Sequence, residues 1–232
     1  SVARSQMMQL SSYSNAAEMM QSLAAQLADE LSAALVQNGC ATLAVPGGST
    51  PGPLFDLLSQ VDLDWANVTV MLTDERWVPT DNPRSNTALI KGRLLVNAAQ
   101  DAGYVALFEP GCDPNVGAAI LSDRVAPHFP IDVLVLGMGA DMHTASLFPG
   151  AAELAWAQSA EAAAVVPMVP VGGDLEPRVT LSANALTKAI CTHVLILGAE
   201  KKAALARAQI YSCAEAPIAQ FLPNATVHWC PS

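Results

Sequence analysis

The feature that most constrains the fold is a run at 131–136, apolar but for Asp132, that stops at Gly137-Met138-Gly139. So short a run, rich in valine and leucine and closed by glycine, reads as a strand buried on both faces, as parallel sheets require. The pattern recurs along the chain. Strand-like segments at Ala41–Val45, Val68–Leu72, 104–108, 162–167, 178–180, 193–197 and 226–229 alternate with helix-like segments at 15–37, from Pro51, and at 86–98, 116–126, 182–189 and 200–209. Ser14 or Asn15 can cap the first helix, and Asn38-Gly39 ends it. Strands joined by helical crossovers predict an α/β fold with a mainly parallel sheet and helices on both faces. No repeat or linker divides the chain, so a single domain over 1–232 is expected.

Composition narrows the function. Only 14% of residues are charged and 52% are hydrophobic, which suits a compact globule. The net charge of −10 argues against nucleic acid or an acidic membrane as partner and leaves a small-molecule substrate. Residues 1–14 lack the apolar core of a secretory signal, and five scattered cysteines without a C-x-x-C read as reduced thiols. A cytoplasmic monomer or small homo-oligomer is expected.

Four groups of unusual residues lie just past strands, and parallel strands bring such ends to one edge of the sheet. Pro46-Gly47-Gly48-Ser49-Thr50-Pro51 offers a close backbone approach and two hydroxyls to an anion; it also fits a tight turn with a hydroxyl cap. Thr73-Asp74-Glu75-Arg76-Trp77 sets three charges beside an apolar anchor, so Arg76 could be held for a carbonyl or phosphate oxygen, or the run could be a solvated corner. Asp141 and His143 follow the glycines after the 131–136 strand, where an imidazole is suited to proton transfer. Arg178 and Lys201 complete the set, and Lys201 opens a helix, where a cation opposes the macrodipole unless an anion binds beside it. The run from Gly137 to Met142 fails the dinucleotide fingerprint, because Met142 stands where the third glycine belongs. No organic cofactor is expected, and no His/Cys/Asp spacing resembles a metal site.

With these groups in family order, the chain resembles the 6-phosphogluconolactonases, in the superfamily they share with the glucosamine-6-phosphate deaminases. The matching pieces are 46–51, 74–79, Gly-Met-Gly-Ala-Asp-Met-His-Thr-Ala-Ser-Leu-Phe-Pro-Gly at 137–150, 178–180 and 198–201. The resemblance implies a Rossmann-like fold and hydrolysis of 6-phospho-D-glucono-1,5-lactone to 6-phosphogluconate, in the oxidative branch of the pentose phosphate pathway, without metal or cofactor. It implies that His143 is the general base, and that Gly47, Gly48, Ser49, Thr50, Arg178 and Lys201 hold the sugar phosphate. Asp74 and Arg76 would position substrate and base; either Asp141 or Asp74 could orient the imidazole. The oxyanion donor stays open between Arg76 and backbone N–H groups. The deaminases carry an acid where this chain has Phe148, which favours the lactonase. The family usually has Asp-Gly-His where this chain has Asp141-Met142-His143, so Met142 is expected to be strained if that position needs a positive φ.

Overall fold

The computed structural model describes residues 7–172 and 175–232; the first six residues of the stretch read above for a signal lie outside them. In chain order the elements are β1 (Gln9–Ser12), α1 (Ala16–Asn38), β2 (Ala41–Val45), α2 (Gly52–Leu58), β3 (Val68–Leu72), β4 (Asp74–Arg76), α3 (Thr87–Arg93), β5 (Gly103–Val105), α4 (Pro114–Val125), β6 (Val133–Leu136), α5 (Leu154–Ala157), β7 (Val165–Met168), β8 (Arg178–Leu181), α6 (Ala183–Thr187), β9 (Cys191–Leu197), α7 (Ala199–Ala208) and β10 (Thr226–Cys230).

Seven strands form one parallel sheet in the order β1-β10-β9-β6-β2-β3-β5. Every residue of β2 and β6 is buried. Side chains alternate between faces along a strand, so the centre of the sheet is covered on both sides. From β2 the chain first steps to β3 and β5 on one side. It then returns to β6 on the other side and goes on to β9 and β10. The order therefore reverses between β2 and β6, and the crevice beyond their carboxyl ends is where such sheets bind ligands.

Helix α1 forms as its caps and periodicity require. The Asn15 side chain accepts from the Glu18 N–H at 2.9 Å, and Gly39 closes the helix at φ 75 with its N–H on the Leu35 carbonyl. Met19, Leu23, Leu27 and Leu31 form a fully buried stripe at helical spacing. The helix packs against β2, β6 and β10.

The structure departs from the sequence reading in a few places. β1 was not expected: Gln-Leu-Ser-Ser has no apolar alternation, because an edge strand paired only with β10 stays largely exposed. Segments 74–76, 162–167 and 178–180 do not join the main sheet. They lie within or overlap β4, β7 and β8, which form a separate three-stranded antiparallel sheet. The helix expected over 86–98 ends at Arg93, and a 3-10 turn, Asn97–Asp101, follows. One buried hydrophobic cluster draws on both sheets, including Val70 and Val135 from the large one and Val166 and Val179 from the small one. Among the described residues no helix is long and apolar enough to cross a membrane.

Candidate active site

The small sheet explains how three consecutive charges can be accommodated after a buried strand. In a strand, neighbouring side chains point to opposite faces. Glu75 therefore faces inward and is 1% exposed, while Asp74 and Arg76 share the other face. The antiparallel register sets Asp74 opposite Thr180 and Arg76 opposite Arg178, which brings two guanidinium-bearing residues side by side. The buried Glu75 carboxylate accepts from Arg76 N–H at 2.8 Å, Ser85 Oγ at 2.8 Å and Asn86 N–H at 3.0 Å. Burial pushes its pKa up, with these hydrogen bonds opposing the shift. Glu75 thereby pins residues 85–87 against β4. Trp77 anchors the other end: its indole N–H donates to the Cys112 carbonyl, and its ring lies where a Cβ on Gly117 would sit.

Pinning that segment delivers Asn86 to the glycine turn after β2. The Asn86 side chain fills the place of a Cβ on Gly47, whose ideal position is 2.2 Å from Asn86 Cγ, so only glycine fits there. Gly48 takes φ 86 and donates its N–H to Asn86 Oδ1 at 3.3 Å. Asn86 was not singled out in the sequence. An asparagine at the start of a helix reads as a cap, yet here its side chain makes no cap bond and faces the turn instead.

The loop after β6 is equally tight. A Cβ on Gly139 would lie 2.2 Å from His143 Nδ1 and 2.6 Å from Asp141 Oδ1, so glycine is required for the imidazole and the carboxylate to meet. They meet at 2.5 Å, Nδ1 to Oδ1, and the same oxygen accepts the His143 N–H at 3.1 Å. With Nδ1–H donated to Asp141, the Nε2 lone pair of His143 is available to abstract a proton. The hydrogen bond to His143 holds the Asp141 carboxyl below the usual carboxylate range. Asp74 makes a different contact, accepting from Ser146 Oγ at 2.5 Å. Of the two aspartates, Asp141 is the one on the imidazole. Met142 adopts φ 68, the left-handed conformation that the missing glycine foretold, and the residue is only 7% exposed. Ala145, two residues beyond His143, is also left-handed at φ 49.

These pieces enclose one cleft of about 270 Å³, lined by Gly47, Gly48, Ser49, Thr50, Asp74, Arg76, Asn86, Gly139, His143, Arg178 and Lys201, among others. All four sequence-defined loops contribute to it, while Asp141 stands behind His143. Thr144 and Ala145, from the 137–150 piece, line it too, and the end of β9, Leu195 to Leu197, completes the walls and was not anticipated. Arg178 is 8% exposed, and its Nε is buried without a hydrogen-bond partner. Burial, reinforced by Arg76, lowers its pKa, although a guanidinium stays protonated throughout the working range. The Phe148 ring lies 5.6 Å from the Arg178 guanidinium carbon and 5.1 Å from the His143 ring, between centroids. Lys201 Nζ donates to the Met138 carbonyl at 2.6 Å, a local partner that offsets its unfavourable place at a helix start. None of the other three histidines lines the cleft: His128 lies in the 3-10 turn after α4, and His193 and His228 are buried in the sheet.

A parallel sheet with an oriented imidazole at its topological switch point, in one cleft with cationic side chains, has the form of an α/β enzyme's ligand crevice. The sequence profile described as glucosamine-6-phosphate isomerases/6-phosphogluconolactonase matches residues 14–229. A 6-phosphogluconolactonase of Rhizobium meliloti (strain 1021) is 40% identical over 225 residues, covering 94% of this chain and 97% of the relative. One of Neisseria meningitidis serogroup A is 42% identical over 209 residues, covering 89% and 90%. The crystal structure of a 6-phosphogluconolactonase from Shewanella baltica OS155 superposes with a TM-score of 0.91 at 34% identity, covering 96% of this chain and 97% of that one. The chain belongs to the glucosamine-6-phosphate isomerase/6-phosphogluconolactonase family.

Proposed function

We propose that this enzyme hydrolyses 6-phospho-D-glucono-1,5-lactone to 6-phospho-D-gluconate, with His143 as general base and a phosphate anchor at the far side of the cleft. The observation that carries this reading is the pairing of two features in one cavity: an imidazole whose Nδ1 is taken by Asp141, and a buried arginine, Arg178, with an unpartnered Nε. Two adjacent guanidinium groups repel one another, and a dianionic phosphate relieves both that repulsion and the missing hydrogen bond. Lys201 and the Gly47–Thr50 turn supply further donors to the same anion. The homologous lactonases support the choice of substrate.

In the reaction, His143 Nε2 takes a proton from water as the water oxygen bonds to the lactone carbonyl carbon. Negative charge collects on the former carbonyl oxygen, where Arg76 or backbone N–H groups of a glycine loop can stabilise it. Collapse of the tetrahedral intermediate breaks the bond to the ring oxygen, and the imidazolium returns its proton to that oxygen. Asp141 keeps the ring in the productive tautomer and stabilises the imidazolium. Asp74 holds Ser146 and so the far end of the loop that carries His143. The phosphate takes no part in bond making; its binding energy orients the carbonyl. Five thiols, all unpaired, accord with a cytoplasmic enzyme acting on a small molecule.

The assay uses freshly generated lactone, corrected for spontaneous hydrolysis. Arg178→Ala is expected to raise KM for the phosphorylated lactone at least about tenfold, the worth of one charge-assisted hydrogen bond. Its effect on unphosphorylated gluconolactone should be small. Equal losses on both substrates would remove Arg178 from phosphate binding.

A further inference from the structure

The loop that carries His143 is held from outside itself. Two of its carbonyls find partners nearby: Gly137 accepts from Thr144 Oγ1 at 2.7 Å, and Gly139 from the Met142 N–H at 2.9 Å. Two more, those of Met138 and Ala140, are taken by α7. Lys201 Nζ donates to the Met138 carbonyl at 2.6 Å, and Arg207 Nη2 to the Ala140 carbonyl at 3.0 Å. Ala140 immediately precedes Asp141, the residue that orients the imidazole. The same loop contains Met142 at φ 68, a conformation that persists only where the surroundings over-determine it. Backbone contact from Ile218 N–H to the Met142 carbonyl, at 3.1 Å, fixes one side of that residue. Arg207 fixes the other side, at Ala140. Lys201, in the first turn of α7, lines the cleft; Arg207, in the last turn, is not among the lining residues.

We propose that Arg207 is a positioning residue for the hydrolysis: it clamps the Ala140 carbonyl and thereby sets the Asp141–His143 pair against the substrate. Lys201 ties the same loop at its other end while keeping two of its three N–H donors for the phosphate. Helix α7 thus links the anion anchor to the base. The proposal rests on the reading of His143 as general base. It separates two kinds of cation in one helix: Lys201 acts on both binding and turnover, whereas Arg207 acts on turnover alone.

The test compares Arg207→Met, which keeps the aliphatic stem but no donor, with Arg207→Lys, which keeps a donor. Each variant is assayed for kcat, for KM with the phosphorylated lactone, and for inhibition by inorganic phosphate. Arg207→Met is expected to lose about tenfold or more in kcat, as a small misplacement of a reacting group does. Its KM and its phosphate inhibition should stay within about twofold of wild type, since no anion contact is removed. Arg207→Lys should recover most of the lost turnover. Lys201→Ala should lose in kcat, in KM and in phosphate inhibition together. An Arg207→Met enzyme with wild-type kcat, or one that loses KM while keeping kcat, overturns the clamp. His143→Ala in the same assay keeps the two readings apart. An inactive His143→Ala beside a fully active Arg207→Met rejects the clamp alone, and an active His143→Ala rejects the base and the clamp with it.

Discussion

At the scale of single residues, Met142 holds a left-handed backbone conformation that favours glycine. Asp-Gly-His is the usual triplet, and the backbone here takes the glycine-like φ of 68 with methionine in place. Holding a non-glycine residue there costs about 1–3 kcal/mol. Burying the methionine, which is 7% exposed, returns a comparable or larger amount, because truncating a buried methionine costs about 2–5 kcal/mol. Restoring the family's glycine is therefore not expected to stabilise the protein. Met142→Gly should lower the unfolding free energy by about 1–3 kcal/mol in chemical denaturation. A stabilised variant would mean that the side chain contributes little and that backbone strain dominates. The strain was foreseeable from sequence, but its compensation was not: Met142 is buried in the fold, and the distant Ile218 N–H holds its carbonyl.

At the scale of elements, α1, β9 and β10 enclose a polar chain that the site does not use. His193 Nε2 lies 2.7 Å from the Glu30 carboxylate, His193 Nδ1 lies 2.9 Å from His228 Nε2, and His228 Nδ1 lies 3.0 Å from the Tyr13 hydroxyl. If His193 donates to Glu30, its Nδ1 accepts from His228, whose Nδ1 in turn accepts from Tyr13. Every hydrogen bond His228 makes is then satisfied with its imidazole neutral. Burial, aided by His193 and opposed by Glu30, lowers the His228 pKa to about 4. In the unfolded chain His228 titrates near its ordinary value of 6.5. The folded state therefore binds fewer protons between these values, and stability falls as pH drops from about 6.5 towards 4. The expected loss from this group is about 2 kcal/mol between pH 7 and pH 5. Denaturation at the two pH values checks it, with His228→Gln expected to flatten the difference. A wild-type protein equally stable at both would contradict a neutral, buried His228.

At the scale of the whole molecule, the parallel sheet was legible wherever strands were buried on both faces. β2, β3 and β6 announce themselves as short apolar runs closed by glycine, proline or charge. β1 does not, because an exposed edge strand needs no apolar side chain. The small antiparallel sheet was hidden for another reason: β4 is three charged residues, and its alternation becomes meaningful only once Val179 and Arg178 stand opposite. The candidate site was legible as four loops, because parallel strands must deliver their ends to one edge. Residues that reach the site from elsewhere left no local signal. Asn86 is held there by the buried Glu75, and Arg207 reaches the base loop from the last turn of α7. Sequence also left Asp74 and Asp141 as equal candidates to orient the imidazole, and only the 2.5 Å contact to Asp141 distinguishes them.

The whole account depends on an imidazole that removes a proton from water in a cleft shared with the phosphate anchor. The most direct test is the turnover of His143→Ala on saturating phosphorylated lactone, corrected for spontaneous hydrolysis. The account predicts a fall in kcat of about 10²–10⁴-fold, the usual worth of a general base, with KM changed only a few-fold. Near wild-type turnover in that variant would contradict it.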